Sequence, residues 1–148
     1  MTEKITQSAV DFQGNARFHL GLTVTDLNAS ISFYSQVFGH QPTKIREGYA
    51  KFEVAEPSVN FTLNAGKEAV GRGTLSHMGI QLKDTGALES RRKVFEELGM
   101  IGKVEEQTSC CYALQDKFWL TDPDGNEVEF FVVLAKDAPA QTRDACCV

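Results

Sequence analysis

The sequence contains no apolar run long enough to cross a bilayer. Its first sixteen residues, MTEKITQSAVDFQGNA, also lack an apolar stretch of signal-peptide length. Clusters of lysine and arginine are missing as well, and the formal net charge is -5, which argues against binding to nucleic acids and other polyanions. We therefore expect a soluble, cytoplasmic protein that binds neither membranes nor nucleic acid.

The sequence also lacks the spaced cysteines of a disulfide framework. Its four cysteines form two adjacent pairs, Cys110-Cys111 and Cys146-Cys147, and neighbouring cysteines rarely reach good disulfide geometry with each other. Because no export signal is visible, free thiols in a reducing compartment are the simpler interpretation. The first pair needs a chemical explanation, since it comes shortly before a turn and a strand that carries Glu129.

What the sequence does contain is an internal repeat. The segments FHLGLTVTDLNASISFYSQVFG (18–39) and SHMGIQLKDTGALESRRKVFEELG (76–99) share the order His, apolar, Gly, apolar, polar, apolar, then Asp, an amphipathic stretch and Phe shortly before Gly. With 148 residues, 42% of them hydrophobic, the chain can bury one compact core. We predict a flexible extension (1–16), one domain (17–133) and a flexible tail (134–148), the domain comprising a first module (17–65), a linker (66–74) and a second module (75–133).

Each module begins with the pattern of a half-buried strand followed by a helix. Alternation places His19 and His77 on the less apolar face of their strands. Asp26 and either Asp84 or Thr85 are predicted to begin the helices, and a glycine ends each one, Gly39 and Gly99. Strand-like runs follow: YAKFEVA and VNFTLN in the first copy, then CYALQ, KFWLTD and EVEFFVV in the second. The prediction is an α+β fold of paired β-α-β-β-β modules that form a curved, cup-like mixed sheet.

Three side chains of the predicted sheet have the chemistry of metal ligands. In EVEFFVV, which follows the turn signal DPDG, Glu129 alternates onto the polar face that carries His19 and His77. A single histidine in a strand is more often an ordinary surface residue. Two histidines at equivalent positions of a repeat, each followed two residues later by Gly on the same face, instead predict a metal site shared by the two modules.

The identity of the metal stays open at this point. Aligning SVNFTL with EVEFFV places Asn60 where the second copy has Glu129, and a neutral amide is a poor ligand compared with a carboxylate. Two imidazoles, one carboxylate and open positions are the arrangement of non-haem Fe(II) enzymes that activate O2. Three protein ligands and a water also suit catalytic zinc.

These features resemble the vicinal oxygen chelate superfamily, which includes glyoxalases, extradiol dioxygenases and antibiotic-resistance proteins. The resemblance covers roughly Arg17 to Val133. Within that superfamily, SCCYALQDKFWLTDPDGNEVEFF (109–131) is similar to the organoarsenical carbon–arsenic lyases, which are also called cadmium-induced glyoxalase-like proteins. The resemblance implies that His19, His77 and Glu129 hold Fe(II), with zinc, nickel or manganese as substitutes, and that Cys110 and Cys111 bind the arsenic.

Further expectations rest on the same resemblance. It implies an Fe(II)-dependent dioxygenase that uses O2 to release arsenite from trivalent organoarsenicals such as methylarsenite, and it implies a homodimer. The segment YALQDKFWLTD is expected to form a loop over bound substrate, with Tyr112, Gln115 and Lys117 as lid residues. Cys146 and Cys147 fit either a thiol-capture role or a tolerated tail, and His40 fits a surface residue.

Two other functions compete with this one. The first is a protein that sequesters arsenic or cadmium through its thiols without turnover. The second is a glyoxalase-type lyase or thiol transferase, which needs a fourth strong metal ligand, and Asn60 counts against it.

Overall fold

The computed structural model describes residues 9, 11–14, 17–66, 75, 77–110 and 113–135. The chain divides into two compact units, residues 1–67 and 68–148, and each unit is described by itself. Most of the predicted extension, linker and tail lies outside the described residues. Strand structure continues to Ala135, two residues past the predicted end of the domain at Val133.

The first unit is a four-stranded mixed sheet with one helix. The strand order is β1-β4-β3-β2, with β1 parallel to β4 and the other neighbours antiparallel. Its elements are β1 (Phe18–Val24), α1 (Leu27–Phe38), β2 (Lys44–Arg46), β3 (Tyr49–Val54) and β4 (Val59–Ala65).

The second unit repeats this architecture. The strand order is β5-β8-β7-β6, and β5 is again parallel to β8. Its elements are β5 (Met78–Leu82), α2 (Thr85–Glu97), β6 (Lys103–Cys110), β7 (Ala113–Thr121) and β8 (Glu127–Ala135). The predicted α+β fold of two β-α-β-β-β modules is therefore confirmed. Within the described residues, neither helix is long and apolar enough to cross a membrane.

The helix ends follow the predicted capping chemistry. The Asp26 carboxylate accepts a hydrogen bond from the Ala29 backbone N–H at 2.9 Å, and the Asp84 carboxylate accepts one from Ala87 at 2.7 Å. Each bond satisfies a backbone donor that has no partner within the helix. Of the two alternatives for α2, Asp84 is thus the N-cap. Gly39 ends α1 with a φ of 75°, a left-handed conformation that glycine adopts without steric cost.

Aromatic side chains fill the space between each helix and its sheet. In the first unit Tyr34 and Phe38 of α1 pack on Phe61, with ring centroids 4.6 and 5.1 Å apart. In the second unit Phe95 of α2 packs on Phe118 and Phe130, which are stacked with their centroids 5.1 Å apart. Since successive strand residues point to opposite faces, Lys117 and Trp119 of β7 and Glu129 of β8 are directed to the other side of the sheet.

Two strands carry no apolar alternation and were not predicted. They are β2 and β6, the edge strands of the two sheets, and their sequences KIR and KVEEQTSC are rich in charge. Charged side chains on an edge strand discourage pairing with other chains, and they also remove the hydrophobic pattern that identifies a strand.

The predicted division of CYALQ from KFWLTD was wrong, because β7 runs unbroken from Ala113 to Thr121. Asp116 interrupts its apolar pattern for a local reason. The Asp116 carboxylate accepts a hydrogen bond from the Gln107 backbone N–H at 2.6 Å. Gln107 has a φ of 47° and lies in a β-bulge of β6, so Asp116 satisfies a backbone donor that the bulge removes from regular pairing.

The strand register also corrects the alignment of the two modules. In the second unit Glu129 lies opposite Gly79. In the first unit the equivalent glycine, Gly21, lies opposite Thr62, and Asn60 lies opposite His19. Thr62, not Asn60, is therefore the counterpart of Glu129. The error was a shift of two residues, which keeps the alternation of faces intact and so leaves the hydrophobic pattern unchanged. Threonine, like asparagine, offers no carboxylate at this position.

Gly79 makes room for the Glu129 side chain. A Cβ atom built at Gly79 would lie 2.6 Å from Glu129 Cγ and 3.0 Å from its backbone oxygen. Real Cβ atoms do not approach carbon this closely, so a side chain here would displace Glu129. The glycine that the repeat pattern singled out thus provides space for a carboxylate on the neighbouring strand.

We expect Gly79→Ala to destabilise the protein by about 1–3 kcal/mol, because the added methyl group overpacks the β5–β8 contact. Gly21→Ala is the matched control, since its Cβ would meet the Thr62 hydroxyl at 3.1 Å, a milder approach. Urea unfolding of both variants measures the difference in the free energy of unfolding. Equal losses in the two variants would contradict the proposed crowding at Glu129.

Candidate functional site

Two of the three predicted metal ligands meet in the second unit. His77 precedes β5, and Glu129 lies on the adjacent parallel strand β8. His77 Nε2 lies 3.5 Å from Glu129 Oε1. The Glu129 side chain is only 9% exposed, whereas that of His77 is 28% exposed. A buried carboxylate oxygen of Glu129 and an imidazole nitrogen of His77 therefore lie next to each other.

The second oxygen of this carboxylate is held by a buried lysine. Lys117 Nζ donates a hydrogen bond to Glu129 Oε2 at 3.2 Å, and the Lys117 side chain is 1% exposed. The ammonium group also lies 5.6 Å from the ring centroid of Trp119 and 6.0 Å from that of Phe131. Buried charges persist only when they are paired and hydrogen-bonded, and this ion pair meets that condition.

Trp119 connects His77 to the edge of the sheet. Its ring meets the His77 imidazole edge to face, with centroids 5.3 Å apart, and its indole N–H donates to Glu105 Oε2 at 2.6 Å. Burial alone would raise the pKa of the Glu105 carboxyl, but hydrogen bonds from Lys103 and Trp119 outweigh it and lower the pKa. Glu105 is thus stabilised as the anion that orients the indole.

His19 in the first unit is oriented by the backbone. Its Nδ1 lies 2.9 Å from the Asn60 carbonyl oxygen. A carbonyl can only accept, so Nδ1 carries the proton and, in the neutral ring, Nε2 carries the lone pair. A backbone carbonyl on one ring nitrogen is the usual way in which a protein prepares the other nitrogen for a metal.

The three predicted ligands are distributed over both units. His19 belongs to the first unit, and His77 and Glu129 belong to the second. Among the described residues, no group of three or more His, Cys, Asp or Glu side chains is arranged to hold a metal ion. The complete triad of His19, His77 and Glu129 stays a prediction.

The donor chemistry of the individual residues fits a divalent transition metal. Imidazole nitrogen and carboxylate oxygen suit iron, zinc, nickel and manganese. Two observations support this role: the lone pair on His19 Nε2 follows from the Asn60 contact, and Gly79 leaves space for the Glu129 side chain. With one carboxylate and two imidazoles, such a site would retain open coordination positions.

Cys110, the first residue of the cysteine pair, lies at the far end of β6 from the strand positions beside Glu129. β6 ends at Cys110, whose backbone pairs with Ala113, whereas Glu129 pairs with Trp119. Ala113 and Trp119 are separated by about 20 Å of strand, although bulges in this hairpin bend it. The strand register does not by itself bring the backbone of Cys110 beside Glu129. The Cys110 side chain, Cys111, Cys146 and Cys147 lie outside the described part of the chain.

The predicted lid is not a loop over residues 113–121. Gln115 and Lys117 lie in strand β7 and are 7% and 2% exposed, and Tyr112 lies outside the described residues. Lys117 instead donates a hydrogen bond to the carboxylate of the predicted ligand Glu129. Trp119 and Glu105 were not predicted as site residues. Counting back across the DPDG turn, where Thr121 pairs with Glu127, would have placed Trp119 beside Glu129.

Comparison with known proteins gives relatives over most of the chain. The chain is 45% identical over 132 residues to the "Trivalent organoarsenical cleaving enzyme" of Bacillus sp. (strain MD1), covering 88% of this chain and 81% of that protein. It is 40% identical to the protein of the same name from Thermomonospora curvata, over 89% of this chain and 87% of that one. It is 38% identical to "Cadmium-induced protein CadI" of Mycobacterium bovis, over 81% and 78%.

The fold comparison agrees with the sequence comparison. A crystal structure of a glyoxalase/bleomycin resistance protein/dioxygenase from Alicyclobacillus acidocaldarius superposes with a TM-score of 0.65 at 18% identity, covering 81% of this chain and 92% of the other. The family model for these proteins matches residues 17–130, which include the first module and the second module as far as the middle of β8. The chain belongs to the Glyoxalase/Bleomycin resistance protein/Dioxygenase superfamily.

Proposed function

We propose that this protein is an Fe(II)- and O2-dependent enzyme that cleaves the carbon–arsenic bond of trivalent organoarsenicals such as methylarsenite. The substrate assignment is supported by relatives of 40–45% identity that are named for this cleavage. The observation that carries the metal assignment is the contact between His77 Nε2 and Glu129 Oε1.

The chain's own residues would divide the work between substrate and metal. Cys110 and Cys111 would bind the arsenic, because trivalent arsenic with one organic group has two exchangeable positions and two neighbouring thiolates occupy both as a chelate. His19, His77 and Glu129 would hold Fe(II). When bound, Fe(II) supplies the open coordination positions at which O2 is activated.

The proposed reaction balances without a further reductant. Methylarsenite, CH3As(OH)2, and one O2 give formaldehyde and arsenite, As(OH)3. The carbon–arsenic bond is broken, one oxygen atom ends in formaldehyde and the other ends in arsenite, and the carbon is oxidised while O2 is reduced. The homodimer and the cytoplasmic location stay predictions.

A second function, sequestration of arsenic or cadmium by thiols alone, is favoured by one observation. The strand register separates the cysteine end of the β6–β7 hairpin from Glu129, so the thiols could bind a soft metal independently of the His–Glu site. A glyoxalase-type lyase is less well supported. It needs a fourth metal ligand, and Thr62 occupies the position in the first module where a carboxylate would be expected to supply it.

Arsenite release separates turnover from sequestration. Protein loaded with Fe(II) under anaerobic conditions is given methylarsenite, then air, and arsenite and formaldehyde are measured by liquid chromatography. We expect one equivalent of each per O2 consumed, and no release before air is admitted. Methylarsenite that stays bound to the protein after oxygen is added would favour sequestration and refute the enzymatic proposal.

Single substitutions should separate the two halves of the site. We expect Cys110→Ser and Cys111→Ser to weaken methylarsenite binding by on the order of a hundredfold, because each removes one arm of a chelate, while Fe(II) is retained. Glu129→Ala should lose Fe(II) and retain methylarsenite. Metal analysis and arsenical titration measure both, with the double variant Cys146→Ser, Cys147→Ser as the control for the tail thiols. Equal loss of iron in all three site variants would contradict the division of roles.

A further inference from the structure

We infer that Lys117 is a positioning residue that restricts Glu129 to binding its metal through a single oxygen. The inference rests on the proposed metal site of His19, His77 and Glu129, and it adds a residue outside that triad. Its basis is the division of one carboxylate between two partners: Oε2 lies 3.2 Å from Lys117 Nζ, and Oε1 lies 3.5 Å from His77 Nε2.

The environment of the Lys117–Glu129 ion pair stabilises the contact between its two charges. The side chains of Lys117 and Glu129 are 1% and 9% exposed, so water cannot readily replace either partner. The rings of Trp119 and Phe131 lie within about 6 Å of the ammonium group, which favours the cation at this place. Gly79 allows the carboxylate to take this position, because a Cβ atom at Gly79 would lie 2.6 Å from Glu129 Cγ.

Confinement of Oε2 has a chemical consequence for the metal. A carboxylate can bind a cation through one or both oxygens, and the second oxygen takes a position that a substrate could use. Since Lys117 occupies Oε2, only Oε1 is presented on the side of His77. Three protein donors then leave about three positions of a six-coordinate ion open, whereas two-oxygen binding would leave about two. An enzyme that must bind both O2 and a second reactant benefits from the larger number.

The number of open positions can be counted with Mn(II), whose bound exchangeable waters accelerate the relaxation of solvent protons. The test compares wild-type protein with Lys117→Met, which keeps an unbranched apolar stem for Trp119 and Phe131 but removes the ammonium group. At full Mn(II) loading we expect the inner-sphere relaxation of Lys117→Met to fall by about one third, as one of three waters is replaced by Oε2. A folded Lys117→Met protein that no longer retains Mn(II) would also overturn the inference, because release of Oε2 should add a metal donor and not remove one.

Two further variants serve as controls. Lys117→Arg keeps the charge and the hydrogen bond and should restore the wild-type relaxation. Lys103→Met removes a lysine that also pairs with a glutamate, Glu105 at 2.9 Å, but is 56% exposed, so its relaxation should equal that of the wild type. Circular dichroism and thermal melting establish that each variant is folded, and Lys117→Gln replaces Lys117→Met if the latter does not fold.

The outcomes are distinct. Unchanged relaxation in a folded Lys117→Met or Lys117→Gln protein that binds Mn(II) would overturn the inference and leave the proposed function intact, with Lys117 reduced to a structural ion pair. Failure of the wild-type protein to bind Mn(II) or Fe(II) at all would instead refute the proposed metal site, and the inference with it.

Discussion

The parallel pairing of β5 with β8 is the constraint on which the site in the second unit depends. This register places Gly79 opposite Glu129, and the missing side chain of Gly79 gives the carboxylate its space. His77, two residues before Gly79, then meets one carboxylate oxygen. A one-residue slip of β8 would turn Glu129 to the core face, beneath α2, where burial of its charge is costly unless a partner is present.

The two modules show how one architecture carries different chemistry. Both sheets have the same strand order and the same parallel pair, yet the position opposite the glycine is Thr62 in one and Glu129 in the other. The buried Lys117 accompanies the carboxylate only in the second module, where the pairing of β7 with β8 brings it within reach. The two modules thus share one backbone architecture. A few different side chains on one sheet face make the second module a candidate ligand site.

Charge is distributed in this protein according to position in the sheet. Exposed charges on the edge strand β6 lie at the boundary of the sheet, whereas Lys117 and Glu129 on the central strands β7 and β8 are paired and buried. Glu105 lies on the edge strand but contacts a central strand. Its carboxylate accepts a hydrogen bond from the Trp119 indole N–H, and the Trp119 ring packs on His77. The edge of the sheet and the candidate site are therefore connected through one hydrogen bond and one aromatic contact.

The sequence by itself determined the repeat, the two helices with their Asp caps, the central strands and the shared sheet face of His77 and Glu129, because these features are periodic or local along the chain. It did not reveal the edge strands β2 and β6, because their charged residues leave no apolar alternation to identify a strand. It also misplaced the counterpart of Glu129 by two residues and assigned Gln115 and Lys117 to a loop. Only the tertiary structure decided that Lys117 is buried against Glu129 and that Gly79 provides room for the Glu129 side chain. The physical reason is that register and cross-strand contacts join residues far apart in the chain. A register shift of two residues leaves the hydrophobic alternation unchanged, so the sequence pattern cannot detect it.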